Sequence, residues 1–239
     1  MSGHSKWATT KRAKAVVDAK RGAIFTKLGN LITIAAREKG GDPTVNFSLR
    51  MAMEKARAAN MPKDNVERAI KRGTGEGGGE QIEELIYEGV GPANTQFVVR
   101  ALTDSKNRTA SLVKHIFNKH GGALSPVMWN FEQKGVIMIA AENLSAVNFD
   151  DLELELIDAG ADDLKRDEDG VIVYTQVPDL QKVQKFLEEK NITTESAAIE
   201  YVAKDTIELN DEDKEKIEKI IDALEDCEDV NDYFVNAEV

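Results

Sequence analysis

The 239-residue chain carries 31 Lys+Arg against 43 Asp+Glu, a formal net charge of −12, with 6% aromatic residues, five prolines and a single cysteine, Cys227. One cysteine cannot staple a secreted fold; no run of eighteen apolar residues offers a membrane span; and Met1 to Lys27 lack the apolar core of a secretory signal. A cytoplasmic protein is therefore expected, and a hydrophobic share of 41% supports packed cores rather than disorder.

The total charge hides a gradient. Residues 1–75 hold 16 Lys+Arg and 6 Asp+Glu (+10), residues 76–134 hold 6 and 7 (−1), and residues 135–239 hold 9 and 30 (−21). A head of +10 suits a polyanion, whereas a body of −21 is repelled by one.

In chain order, Ser2 to Lys20 read as a polar basic arm with few large apolar residues, expected to be either mobile or a fourth helix. Residues 20–38 read as a helix, with Ile24, Leu28, Leu31 and Ala35 at helical spacing and Phe25 and Ile32 widening the stripe. Gly40-Gly41 ends it, and Asp42 with Pro43 is expected to cap the next helix, which turns Leu49, Met53 and Ala56 inward. Asn60-Met61-Pro62 is a short break. A third helix from Pro62 to Arg72 buries Val66, Ala69 and Ile70, with Gly73 as its stop. The glycine-rich run from Gly73 to Gly79 follows a helix and precedes Glu80, Glu83 and Glu84, so it reads as a linker and not as a phosphate loop.

From residue 80 the period changes. Strands are expected at Leu85–Val90 and Phe97–Leu102, a helix at Arg108–His120 with Leu112, Val113, Ile116 and Phe117 inward, and a short strand at Met128–Phe131. A second series follows: strand Gly135–Ala140, helix Phe149–Ala159, strands Asp162–Asp167 and Val171–Gln176, helix Pro178–Lys190 and strand Ala197–Ala203. That order, β-α-β-β-α-β, is ferredoxin-like. Helix Asp211–Asp226 and strand Tyr233–Asn236 remain without partners of their own. The expected fold class is therefore α+β multidomain, with an N-terminal helical bundle and two ferredoxin-like α/β domains, the third inserted in the second. The boundaries are 1–78 for the basic helical domain, 79–133 plus 205–239 for the second, and 134–204 for the acidic insert.

Catalytic chemistry finds little support. His4, His115 and His120 with one cysteine make no zinc set. The acidic pairs after residue 135 lack the apolar surroundings that split two carboxylates into acid and base. Asp163 to Gly170 departs from calcium-loop spacing. Acidic neighbours around Cys227 disfavour a thiolate. No catalytic residue, metal or cofactor is expected.

Binding chemistry is better supplied. Lys6, Lys11, Arg12, Lys14, Lys20, Arg21 and Lys27 lie along the arm and into the first helix, and Lys63, Arg68, Lys71 and Arg72 line the third. The helix dipole accounts for Lys71 and Arg72 but not for eleven cations. Trp7, between Lys6 and Lys11, either stacks on a base or docks on the bundle. Thr103 to Thr109 joins a strand end to a helix start; with Lys106 and Arg108 it is either a phosphate site or a turn capped by Asn107.

The chain resembles the YebC family of probable transcriptional regulatory proteins. The resemblance rests on Gly3-His4-Ser5-Lys6-Trp7, on Asp18-Ala19-Lys20-Arg21-Gly22 with Phe25-Thr26-Lys27-Leu28, on Gly40-Gly41-Asp42-Pro43, and on Ala59 to Gly73. It continues through Tyr87-Glu88-Gly89, Gly91-Pro92, Leu102-Thr103-Asp104, Asn107-Arg108-Thr109, Phe117 to Gly122, Phe131-Glu132 and Lys134-Gly135. It departs at Leu124 to Asn130, where Ser125-Pro126 stands in place of a longer, glycine-containing turn. The resemblance implies three domains, one helical and two mixed, and a cytoplasmic nucleic-acid-binding protein without catalysis. It further implies action either as a transcriptional regulator on DNA or, as for mitochondrial relatives, as a translation factor on ribosomal RNA that relieves stalling. A third reading, from the charge of the acidic domain, is a protein-interaction adaptor.

Overall fold

The computed structural model describes residues 21–76, 78, 81–145 and 147–237. They form an α+β protein with seven α-helices and two four-stranded antiparallel sheets among the described residues. These divide into two compact units, one of residues 130–206 and one of residues 21–129 with 207–237.

The second unit begins with three helices, α1 (Arg21–Lys39), α2 (Phe47–Ala58) and α3 (Lys63–Gly73). The run Ile32 to Ala36 in α1 is buried on every side, because the helix packs between two surfaces. Ile32, Ala35 and Ala36 meet Leu49, Ala52 and Ala56 of α2 and Ala69 of α3. Ile34 packs with Ile82 and Leu102, which lead into and lie within the sheet.

The start of α2 corrects an expectation. Asp42 does not cap it, because its Oδ1 is taken by the amide (2.9 Å) and hydroxyl (2.7 Å) of Thr44 in a separate turn. These bonds lower the Asp42 pKa. The cap is Asn46, fully buried, whose Oδ1 accepts from the Leu49 amide at 3.0 Å while its Nδ2 donates to the carbonyls of Ala35 and Gly40 at 2.8 and 2.7 Å. One side chain therefore fixes the start of α2 against the end of α1.

The sheet of this unit has the order β3-β1-β2-β8, built from β1 (Glu83–Val90), β2 (Gln96–Thr103), β3 (Ala123–Leu124) and β8 (Val230–Val235). Helices α4 (Lys106–Lys119) and α7 (Asp211–Asp226) cover one face. Phe97, Val99, Val113, Ile116 and Phe117 there meet Ile217, Ile220, Ile221 and Leu224. Gly89 permits this packing, since a Cβ on it would lie 2.6 Å from the Phe117 ring. Leu112, expected inward, is 42% exposed; Val113, Ile116 and Phe117 already fill the buried face. The strand expected at Met128–Phe131 is instead a 3₁₀ turn over Met128–Asn130, and β4 (Phe131–Ala140) starts directly after it. Polar Glu132, Gln133 and Lys134 continue that strand because they pair with Val202, Tyr201 and Glu200.

The unit of residues 130–206 runs β4, α5 (Phe149–Ala159), β5 (Ala161–Arg166), β6 (Gly170–Thr175), α6 (Leu180–Glu189) and β7 (Ser196–Ala203), with sheet order β5-β6-β4-β7. Gly135 of β4 lies beneath Leu180 of α6. Alternation places Val136, Met138, Ile172 and Tyr174 in a cluster on one face of the sheet.

An ion pair ties β2 to β8. Arg100 Nε donates to Asp232 Oδ2 at 2.9 Å, a second nitrogen of the same guanidinium reaches the same oxygen, and Asn231 Nδ2 adds a bond at 2.6 Å. Burial pushes the Asp232 carboxyl up, but Arg100, Lys55 of α2 and these hydrogen bonds outweigh it and hold the pKa at about 2. A depressed carboxyl pKa stabilises the fold above its unfolded value near 4 and loses that contribution as pH falls toward 2. Asp232→Asn is expected to cost about 1–3 kcal/mol at neutral pH, read from urea midpoints. The loss of stability between about pH 4 and pH 2 should be shallower in the variant than in the parent.

Candidate nucleic-acid interface

Helix α3 carries three exposed cations, Lys63, Arg68 and Lys71. Its inner side is fixed: Thr33 Oγ1 donates to the carbonyls of Gly29 (2.8 Å) and Ala69 (3.1 Å), bridging α1 to α3. Gly73 closes the packing; a Cβ there would stand 2.4 Å from the Thr33 carbonyl oxygen and 2.7 Å from the Ala36 Cβ. Gly73 is thus the last helical residue, chosen for close approach and not as the stop; Gly75, at φ +85°, takes the left-handed position.

With Ala69 buried and Val66 and Ile70 partly buried, Lys63, Arg68 and Lys71 face solvent and Arg72 is half-buried. Asp64 and Glu67 share the outward side, so the face is a net-positive mixture. A shallow cavity of about 420 Å³ beside it, lined by Gly41, Glu67, Ile70, Lys71, Thr74 and Glu76, sets one lysine against two carboxylates and is no phosphate pocket.

All three helices of the bundle carry two cations in their last turn: Arg37 and Lys39, Lys55 and Arg57, Lys71 and Arg72. The helix dipole favours all six there. Lys63 is different. It opens α3, where the dipole opposes a cation, and it is exposed.

Several other basic residues are engaged internally. Lys27 donates to the carbonyl of Glu225 at 2.6 Å, and Arg37 to that of Ile82. Arg50 lies over the Phe47 ring at 5.4 Å. In the Thr103–Thr109 turn, Lys106 pairs with Glu83 at 2.7 Å, and Arg108 pairs with Asp229 at 2.8 Å and Asp104 at 3.0 Å. Hydrogen bonds to Asp229 and then Asp104 raise the Arg108 pKa further. Asp229 also accepts from Thr109 Oγ1 at 2.8 Å, and burial followed by the Asp229 charge raises the Tyr87 pKa. Ser105, not Asn107, holds the N-cap position of α4, and its side chain makes no capping hydrogen bond. This turn is charge-matched by residues of its own unit, and a phosphate would have to displace them.

The acidic C-terminal stretch explains the matching. Residues 207–237 hold 3 Lys and 12 Asp+Glu, yet they belong to the same unit as the bundle. The expected separation of a basic head from an acidic body is therefore incomplete. Lys6, Trp7, Lys11, Arg12, Lys14 and Lys20 lie outside the described residues, and Arg21 opens α1. Among the described residues no group of three His, Cys, Asp or Glu could hold a metal ion, and no helix is long and apolar enough to cross a membrane. Sequence reasoning missed Thr33 and Asn46, whose partners lie on other helices; an Asn directly before the apolar run Phe47-Ser48-Leu49 was the available signal for the second.

Two family models match the chain: the TACO1/YebC protein N-terminal domain over residues 5–76, and the TACO1/YebC second and third domain over residues 82–237. The chain belongs to the TACO1/YebC family. A probable transcriptional regulatory protein of Thermoanaerobacter pseudethanolicus is 46% identical over 242 residues, covering 100% of this chain and 98% of the relative. Another, of Caldanaerobacter subterraneus, is 47% identical over 242 residues, covering 100% and 99%. The crystal structure of a conserved hypothetical protein from Aquifex aeolicus matches with a TM-score of 0.83 at 41% identity, covering 94% of this chain and 93% of that one.

Gly73→Ala is expected to push α3 away from α1 at a cost of about 1–3 kcal/mol, read as a lower urea midpoint with an unchanged slope.

Proposed function

We propose that the chain is a non-enzymatic, cytoplasmic regulator of gene expression that holds nucleic acid through α3 and the basic arm that precedes α1. Duplex DNA is the primary target, in keeping with the names of the relatives. The observation that carries the reading is the outward set Lys63, Arg68 and Lys71 on a helix whose inner side is locked by Thr33 and Gly73. Lys63 supports it most directly, since it stands where helix stability alone would not put a cation. Arg72, Arg21 at the start of α1, and Lys6, Trp7, Lys11, Arg12, Lys14 and Lys20 of the preceding sequence take part in this reading as further contacts to the polymer. Lys27, Lys106 and Arg108 contribute less, because each is already bonded within the fold.

The connection from α2 to α3 spans residues 59–62, with Asn60 left-handed at φ 56°. A turn of that length is compatible with a helix-turn-helix and so with duplex binding. One feature favours a second target, structured ribosomal RNA: Asp64 and Glu67 interrupt the cations of α3, which suits spaced phosphate contacts better than deep insertion in a groove.

Arg68→Glu with Lys71→Glu is expected to weaken binding to duplex DNA by at least about tenfold at low salt and to every sequence alike. The slope of log affinity against log salt should fall by about 2 in the same variant. Fluorescence anisotropy between 50 and 200 mM salt measures both, and a salt-independent affinity in the parent protein overturns the reading. The same titration against ribosomes decides between the two polymers.

A further inference from the structure

The surface of α5 is not explained by the fold or by nucleic-acid binding. The helix is well bounded: Asn148 Oδ1 accepts from the Asp150 amide at 3.2 Å, and Gly160 at φ 113° ends it. Leu152, Leu156 and Ala159 are buried, at 2%, 0% and 9% exposure. Leu154 and Ile157 lie on the opposite side and are 66% and 50% exposed. At 100° per residue, the stripe that holds these two apolar side chains also holds Asp150, Asp151 and Asp158.

Helix stability accounts for part of this set only. Asp150 and Asp151 stand in the first turn, where the dipole favours them; Asp158 stands in the last turn, where it does not, and no basic residue is there to offset it. Glu155 is paired with Lys190 at 2.7 Å, and Asp151 accepts from Asn148 Nδ2 at 2.7 Å. Among the described residues no cation pairs with Asp150, Asp151 or Asp158. The surrounding residues 130–206 hold 18 Asp+Glu against 7 Lys+Arg. An exposed apolar pair inside a field of that sign repels nucleic acid, and it repels a second copy of itself, since self-pairing would bring six carboxylates together.

We propose that Leu154 and Ile157, framed by Asp150, Asp151 and Asp158, form the docking site for a cationic amphipathic segment of a partner protein. Two apolar side chains of that segment cover the pair, and its lysines or arginines meet the carboxylates. The choice of a basic partner rests on the nucleic-acid reading: a protein held on DNA or ribosomal RNA is surrounded by basic proteins bound to the same polymer. The acidic unit then faces protein where it would be driven away from phosphate.

The test uses the full chain and a labelled 16-residue Lys/Leu peptide with leucines at helical i, i+3 and i+4 spacing. A control peptide has the same lysines and Gln in place of Leu. In anisotropy titrations the Lys/Leu peptide is expected to bind at least about tenfold tighter than the control. Leu154→Ser with Ile157→Ser should remove that preference while the far-ultraviolet dichroism and the DNA affinity stay unchanged. Asp158→Asn, a mild change at an exposed position, should weaken the peptide about threefold and reduce the salt dependence. Equal binding of the two peptides, or a preference that survives in the Leu154/Ile157 variant, overturns the proposal. The Arg68→Glu/Lys71→Glu protein should still bind the peptide. If nucleic-acid binding is absent while the peptide binds as described, only the reading of α3 fails.

Discussion

The pairing of β8 with β2 is the constraint on which the larger unit depends. Without it β2 would be an edge strand, and the inner faces of Phe97 and Val99 would have only α4 to cover them. The returning segment supplies α7, whose Ile217, Ile220, Ile221 and Leu224 complete that core, and β8, whose Val235 and Tyr233 stand opposite Phe97 and Val99. The closure is long in sequence, but the entropy of closing a loop grows only with the logarithm of its length. Burial of a continuous apolar face therefore outweighs the cost of spanning residues 130–206, and those residues bury a core of their own meanwhile.

The same return decides the electrostatics. It brings Asp229 to Arg108, Asp232 to Arg100 and the Glu225 carbonyl to Lys27, so acidic sequence is folded onto basic sequence. Net charge summed along the chain overstates what reaches the surface, because interactions between exposed charges fade within a Debye length of roughly 8–10 Å and neighbours in space count for most. Lys63, Arg68 and Lys71 of α3 stay exposed. Ala69, buried by α1, with Thr33 and Gly73, turns the helix so that its charged side faces solvent.

Much of this order was legible in the sequence where the signal was local. Helices Phe149–Ala159 and Asp211–Asp226 match their expected limits to the residue, since each has an Asn cap followed by acidic residues in its first turn. Legibility failed where the deciding partner was distant or the element too short to show a period. Asp42 and Pro43 are a plausible cap, yet Asn46 wins because its amide also satisfies two carbonyls at the end of α1. Strand β3 has two residues, and no alternation can be read from two. At the candidate site, the basic residues of α3 were found from spacing alone, whereas the neutralisation of Lys106 by Glu83 and of Arg108 by Asp229 needed the tertiary contacts.

Charges that stabilise a helix and charges that serve something outside it can be separated by position. Six last-turn cations of the bundle, and Asp150 and Asp151 at the start of α5, all lie where the helix dipole favours them, so their position alone does not require a partner outside the helix. Lys63 at the first position of α3 and Asp158 in the last turn of α5 lie where it opposes them, and each costs its helix a few tenths of a kcal/mol or more. Both are tolerated on exposed faces that carry further charge of the same sign. That opposition to the dipole is what the two proposals rest on: an anion would offset it at Lys63 and a cation at Asp158. The two helices belong to separate compact units, so the two proposed surfaces of opposite sign do not share one fold unit.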